Sequence, residues 1–343
     1  MYLKAYGFTG EPPADPDTLA RITAVHKDRY EIMTDAGPAH ARLKASEYYA
    51  GSELFPTAGD FVLIHPNPAG DSQIIQTLPR RTYFSRRDPT PGRGEQAVAA
   101  NFDYVFIMQS MNMDFNPKRL ERYLTLAWQS GANPVILLTK ADLTDSADVY
   151  ASEAERVASG VPIHAVSAAA GMGLEALDAY LQPGKTAVFL GSSGVGKSSL
   201  VNALAGSALM TVNTIREDDS KGRHTTTHRQ LIMLPGGAMI IDTPSMRELG
   251  MWDVSGGLGD AFSDVEAFAS QCRFRNCTHQ QEPGCAVRAA IESGLLDPAR
   301  WESYLHLQAE AEYAQDKGAF LRQKQQWHKA LRKSQKRIKK ETW

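Results

Sequence analysis

The 343-residue chain has no apolar run approaching the roughly twenty residues that cross a membrane. Its opening stretch, MYLKAYGFTGEPPADPD, has no apolar core of a secretion signal. Cysteine is scarce: there are three, all between Cys272 and Cys285. An odd, clustered count argues against a disulfide framework and leads to the expectation of a reduced, cytoplasmic setting. Charge of either sign is nearly balanced, at a net −2, so no global field draws the chain to nucleic acid and any basic surface must be local. No internal repeat stands out. What remains is the composition of an ordinary globular protein, long enough for about two or three domains.

Residues 19 to 78 are short apolar stretches broken by turn signals. RITAV, RYEIMT, ARLK, GDFVLIH and SQIIQTL alternate as strands do, with TDAGP and HPNPAGD between them. Five short strands in so few residues suit a small barrel, and the oligonucleotide-binding barrel is one candidate; a barrel that only packs is the other. RRTYFSRRDPTPGRGEQ, basic and then rich in Pro and Gly, reads as a linker. From Asp103 the pattern changes. DYVFIMQ, PVILLT, VPIHAV and KTAVFLG are apolar strands, alternating with helical patterns in PKRLERYLTLAWQS, ADVYASEAERVAS and LEALDAYL. Such alternation means a parallel sheet covered on both faces. After Met251 no convincing strand appears, and helix and loop are expected.

Gly191-Ser-Ser-Gly-Val-Gly-Lys-Ser198 fits G-x-x-x-x-G-K-[ST], between the strand TAVFL and a helix expected over Lys197 to Ala205. The glycines let successive backbone N–H groups face phosphate oxygens, and the helix N-terminus adds its positive dipole end. Lys197 is placed to reach the β- and γ-phosphates and Ser198 to ligate Mg²⁺. Asp242 closes the strand AMIID, where an acidic residue can hold Mg²⁺ through water.

The base is specified elsewhere. TKAD (Thr139, Lys140, Ala141, Asp142) closes PVILLT, and Asp142 can accept two N–H donors of the guanine edge, a pattern adenine lacks. The Lys140 stem can lie along the base. Ser167 and Ala168 close VPIHAV, where a backbone amide can meet the guanine carbonyl. Several loops at the C-terminal ends of parallel strands form the edge where such sheets bind ligands. The expected nucleotide set is Thr139, Lys140, Ala141, Asp142, Ser167, Ala168, Gly191, Ser192, Ser193, Gly194, Val195, Gly196, Lys197, Ser198, Ser199 and Asp242. The order is unusual, because the guanine tetrapeptide precedes the phosphate loop. A circular permutation of a GTPase sheet explains it, and costs little when the original termini lay close together.

Cys272-x4-Cys277-x-His279-x5-Cys285 offers three thiolates and an imidazole, a closed Cys3His set of the structural-zinc type. From Lys317 to the end there are ten Lys and Arg against Glu341 alone, interleaved with Phe320 and Trp327. That is a net of +9 on a chain of −2, and it favours contact with RNA backbone.

The permuted order, GRHTTT ahead of the strand HRQLIML, a small barrel before and a cysteine cluster behind together resemble the bacterial ribosome small-subunit-dependent GTPase A family, over nearly the whole chain. The resemblance implies a multi-domain protein: an oligonucleotide-binding β-barrel at 1–85, a circularly permuted P-loop GTPase domain at 95–250, and a helical zinc-binding domain with a basic tail at 251–343. It implies a monomeric enzyme that hydrolyses GTP to GDP on the 30S subunit, contacts 16S rRNA and carries one structural Zn²⁺, with Mg²⁺ accompanying GTP. Met246 stands where a water-orienting Gln follows D-x-x-G in Ras-like proteins. His224 in the switch can take that part, which the resemblance also assigns to it. One of Thr225 to Thr227 is expected to ligate Mg²⁺, and the family's pattern selects Thr226. Two departures are Thr139, where the family has Asn, and Ser245, where it has Gly and the backbone turns more freely. A P-loop ATPase or kinase with a coincidental TKAD, and a zinc-containing RNA-binding module that only senses GTP, are the rival readings.

Overall fold

A computed structural model describes residues 2–11, 13, 15, 18–26, 29–43, 54–87, 95–210, 229–242 and 255–312. His224, Thr226, Ser245, Met246 and the basic tail lie outside these described residues.

Five strands build the N-terminal barrel: β1 (Leu19–Val25), β2 (Tyr30–Thr34), β3 (Gly37–Leu43), β4 (Phe61–His65) and β5 (Ser72–Thr77). They pair in the order β1-β2-β3-β5-β4, and β4 returns to β1 to close the circle. β2 shows the cause at residue level: buried Tyr30, Ile32 and Thr34 alternate with half-buried Glu31 and Met33. Ala20, Ile22, Ile32, Val62, Ile64 and Ile74 fill the interior.

The segment expected to be a linker holds two strands instead. β6 (Tyr83–Arg87) and β7 (Glu95–Ala100) pair as a separate ribbon. Exposed Arg81 and Tyr83 alternate with buried Thr82 and Phe84, a period of two that the basic, Pro- and Gly-rich composition of the segment masks. Phe84 stacks on Phe102 at 4.9 Å.

β8 (Tyr104–Ser110), β9 (Asn133–Thr139), β10 (Ile163–Val166), β11 (Thr186–Gly191) and β13 (Met239–Asp242) are parallel, in the order β10-β9-β8-β11-β13. The apolar runs of β8, β9, β11 and β13 are almost wholly buried because helices cover the sheet, whereas the edge strand β10 is buried only at Val166; Phe106, Val135, Leu137, Phe189 and Ile240 form one core. β12 (Arg229–Met233) pairs antiparallel to β13 and joins β1 of the barrel through Ala24↔Gln230 and Val25↔Arg229. Barrel and parallel sheet therefore share one eleven-stranded sheet. Taken from β11 through β12 and β13 and then to β8, β9 and β10, the strands follow an unpermuted nucleotide-binding order; relative to that order the chain is opened between β13 and β8, and the former ends are joined between β10 and β11.

Helix Pro117–Gln129 starts where expected, with Asn116 as its cap accepting from Arg119 N and proline in the first turn, where a missing N–H costs nothing. Helix Ala147–Val157 also follows the sequence pattern. LEALDAYL forms a 3₁₀ helix, Leu174–Ala179, entered from Gly173 in the left-handed conformation.

Arg21 on β1 is fully buried. It donates to the carbonyls of Gly59 (3.2 Å), Asn101 (2.9 Å) and Tyr6, and to Thr186 Oγ1 (3.1 Å), and lies 4.9 Å over the Phe61 ring. Burial pulls its pKa down to about 9, with the charges of Asp103 and Asp60 opposing that pull, so it stays a cation at neutral pH. Each carbonyl deprived of this donor would cost about 1–3 kcal/mol, which explains a buried cation at the seam between barrel and sheet.

The C-terminal region falls in a second compact unit with residues 85–96. Helices Ser255–Ala261, Ser263–Ala269 and Ala286–Glu292, and helical residues 298–312, pack around Phe262, Val265, Val287 and Leu307. Arg300 binds Asp264 through both carboxylate oxygens (3.0 and 2.8 Å) and lies 4.3 Å over Phe262. No strand occurs here among the described residues, as the sequence led us to expect.

Candidate nucleotide site and metal cluster

Three loops and the end of β13 meet at one sheet edge, because each loop leaves the C-terminal end of a parallel strand. The phosphate loop follows β11 and runs into helix Lys197–Ala205, whose bounds coincide with those expected from the sequence. Gly194 (φ 72°) and Gly196 (φ 105°) occupy backbone conformations that side-chain-bearing residues rarely adopt, and these let the loop curl. Lys197 Nζ lies 2.6 Å from Asp242 Oδ1, at the end of β13, and Asp242 is buried. The pair places a cation and an acidic residue at the start of a helix, where phosphate and its metal would be met.

Thr139, the last residue of β9, donates its hydroxyl to the carbonyl of Val195 in the phosphate loop at 2.7 Å. The two loops are thus tied across 56 positions of sequence. Lys140 then adopts a left-handed conformation (φ 63°), a costly one for a side chain and common where function fixes the backbone. A 3₁₀ turn over Ala141–Leu143 follows and leaves Asp142 exposed at the rim. Asp142 Oδ1 accepts a 2.5 Å hydrogen bond from Ser167 Oγ, at the end of β10. Ser167 is itself buried, and its Oγ accepts from Ala170 N. The structure therefore brings Thr139, Asp142, Ser167, Val195, Lys197 and Asp242 to one edge, with Lys140, Ala141, Ala168, Gly191, Ser192, Ser193, Gly194, Gly196, Ser198 and Ser199 in the same loops. Sequence reasoning misses the Thr139 tether, because nothing local to TKAD indicates what its hydroxyl meets.

The second cluster is local. The ligand atoms of Cys272, Cys277, His279 and Cys285 all lie within 4.8 Å of one another. His279 Nδ1 is 3.5 Å from the sulfurs of both Cys272 and Cys285, which are 4.0 Å apart. His279 has φ 60°, and Trp301 sets its ring against the imidazole at 5.3 Å. Glu282, which no motif in the sequence marks, organises the turn: its carboxylate accepts from Thr278 N, Thr278 Oγ1, Gln280 N and Gln281 N. The Thr278 hydroxyl bond, then the backbone donors, bring its pKa down to about 2. A closed four-ligand set of this kind has the composition and spacing to hold a metal ion.

Residues 77–252 match the family described as RsgA GTPase. A Listeria monocytogenes protein named small ribosomal subunit biogenesis GTPase RsgA 1 is 48% identical over 341 residues, 97% of each chain. A Methanosarcina acetivorans protein named small ribosomal subunit biogenesis GTPase RsgA is 43% identical over 298 residues, covering 87% of this chain and 80% of its own length. Among solved structures, YjeQ from Thermotoga maritima aligns with a TM-score of 0.64 and 26% identity, over 86% of this chain and 98% of that one. The fold is also that of YloQ, described as a circularly permuted GTPase (TM-score 0.60, 23% identity, 86% and 94% coverage). With base loop and phosphate loop tied together at one edge of a permuted sheet, and this similarity running nearly end to end, the chain belongs to the RsgA GTPase family.

Proposed function

We propose that the protein binds the 30S ribosomal subunit and acts late in its maturation, hydrolysing GTP to GDP and phosphate with stimulation by the subunit. The observation that carries the reading is the convergence of Asp142, Ser167 and the Lys197–Asp242 pair on one edge, in a chain that matches relatives named for small-subunit biogenesis over almost its full length. Asp142, oriented by Ser167, accepts from the guanine edge. The phosphate-loop backbone and Lys197 cradle the phosphates, and Lys197 exchanges Asp242 for a phosphate oxygen. Ser198 and Thr226 would hold Mg²⁺, which neutralises phosphate charge. His224 orients the attacking water in place of the Gln that Met246 replaces. The functional regions are the barrel at 1–85, the GTPase domain at 95–250, and the metal-binding domain with its tail at 251–343. The barrel and tail contact 16S rRNA, and the protein works as a cytoplasmic monomer.

Co-sedimentation with purified 30S subunits tests the partner. Binding should be stronger with a non-hydrolysable GTP analogue than with GDP. Deleting Lys329 to Trp343 should weaken it and flatten its salt dependence, by roughly one unit of slope for each phosphate no longer neutralised. Equal retention of full-length and truncated protein at every salt concentration would remove the tail from the interface.

The metal is zinc in this reading. Tetrahedral Zn²⁺ with thiolate and imidazole bonds of ordinary length separates sulfurs by about 3.8 Å and sulfur from nitrogen by about 3.6 Å. The 4.0 and 3.5 Å found among Cys272, Cys285 and His279 fit, and the Cys277 sulfur lies within 4.8 Å of the other ligand atoms. With all four positions filled by protein, the ion braces the fold and does no chemistry. Metal analysis should return one zinc per chain, and Cys277→Ser should loosen residues 255–312 while sparing nucleotide binding. A metal-free preparation with an intact C-terminal fold refutes this assignment.

A further inference from the structure

Between β8 and helix Pro117–Gln129 the chain makes a polar turn that the nucleotide reading does not use. Asn112 Oδ1 braces it, accepting from Ser110 Oγ and Asp114 N at 2.9 Å each. Phe115 packs edge-on against Tyr150, with ring centres 5.2 Å apart. Held in this way, Asp114 accepts a hydrogen bond at Oδ2 from Ser192 Oγ of the phosphate loop, 2.6 Å away.

Arg119 grips the same carboxylate, with Nη1 3.2 Å from Oδ1 and Nη2 3.0 Å from Oδ2. It also donates to the Asp114 carbonyl and to Oε1 of Gln109, a fully buried residue of β8. The Nε of Arg119 and Nε2 of Gln109 are buried without a hydrogen-bond partner among the described residues. Burial alone would raise the pKa of Asp114, but hydrogen bonds from Ser192 and Arg119 and the charges of Arg119 and Lys140 hold it below the ordinary carboxylate value.

A carboxylate against a phosphate-binding loop presents a difficulty, since bare negative charge repels the ligand. Here Arg119 cancels it. Ser192 lies where the loop leaves β11, so the loop is held near its start by Asp114 and at Val195 by Thr139. We propose that Asp114 is a positioning residue of the nucleotide site: it fixes the start of the phosphate loop through Ser192, while Arg119 orients it and neutralises its charge. The proposal rests on reading Gly191 to Ser199 as the nucleotide loop.

The test is the release rate of a fluorescent GDP analogue from the full-length protein, together with GTP and GDP affinities at low and high salt. Asp114→Ala and Ser192→Ala should each quicken release about fivefold, as loss of one hydrogen bond predicts. The double variant should be no faster than either single one, because both remove the same interaction. Asp114→Asn keeps an acceptor and should stay within about twofold of wild type. Arg119→Met bares the carboxylate and should weaken GTP more than GDP, most strongly at low salt, an effect that a merely structural residue would not produce. Wild-type release in Ser192→Ala, or effects that multiply in the double variant, would overturn the proposal. If Asp114→Ala does not fold, Ser192→Ala, Asp114→Asn and Arg119→Met decide the matter. A wild-type protein that binds no guanine nucleotide defeats the underlying site instead; one that binds it alongside variants of unchanged behaviour defeats this inference alone.

Discussion

Asp142→Asn should weaken GTP binding by about a hundredfold, equivalent to about 2.7 kcal/mol. In the wild-type site Ser167 donates to Oδ1 at 2.5 Å, which fixes the carboxylate at the exposed rim. The carboxylate can accept two N–H groups of guanine, each a charge-assisted bond worth about 1.5–3 kcal/mol. In the variant the amide oxygen is expected to keep the Ser167 bond, which turns the NH₂ group outward as a donor. A donor facing a donor leaves both unpaired. The same geometry predicts a gain: xanthine carries a carbonyl where guanine has its exocyclic amine, so xanthosine triphosphate should bind the variant better than wild type. Competition titrations with GTP, ATP and xanthosine triphosphate read both effects. Equal affinity of the wild-type protein for GTP and ATP, or undiminished GTP affinity in the variant, would contradict the guanine assignment.

What the sequence disclosed and what it concealed divide along a physical line. The phosphate loop, TKAD, Ser167 and the Cys3His set are local patterns, each a short segment whose chemistry is complete within a few residues. The strand ends that present them were legible too, since TAVFL and PVILLT are apolar runs buried throughout. Pairings between distant segments were not. The hydroxyl of Thr139 meets Val195, Asp114 meets Ser192 across 78 positions, and Arg21 of the barrel reaches Thr186 across 165. No periodicity encodes such pairings. The union of β1 with β12 escaped for the same reason, and the β6–β7 ribbon because its basic, Pro- and Gly-rich segment looked like linker composition. The Thr139 hydrogen bond also gives the departure from Asn a meaning. A hydroxyl has one proton, and here it goes to Val195, so the tie between loops is kept while the second donor of an amide is absent.

At the centre of the proposed function stands a guanine-nucleotide hydrolase whose catalytic arrangement the ribosomal subunit would complete. Met246 removes the usual guide for the attacking water, and an unassisted site of this kind hydrolyses slowly; a partner that supplies or orders the missing groups accelerates such reactions by orders of magnitude. The measurement is GTP turnover by the full-length protein with and without purified 30S subunits, alongside Lys197→Ala and His224→Ala. Turnover should be slow alone and rise at least about tenfold with 30S particles. Lys197→Ala should be inactive in both conditions, and His224→Ala should bind GTP normally but lose most of the stimulation. Turnover that is the same with and without the subunit, or that survives in Lys197→Ala, would contradict the account.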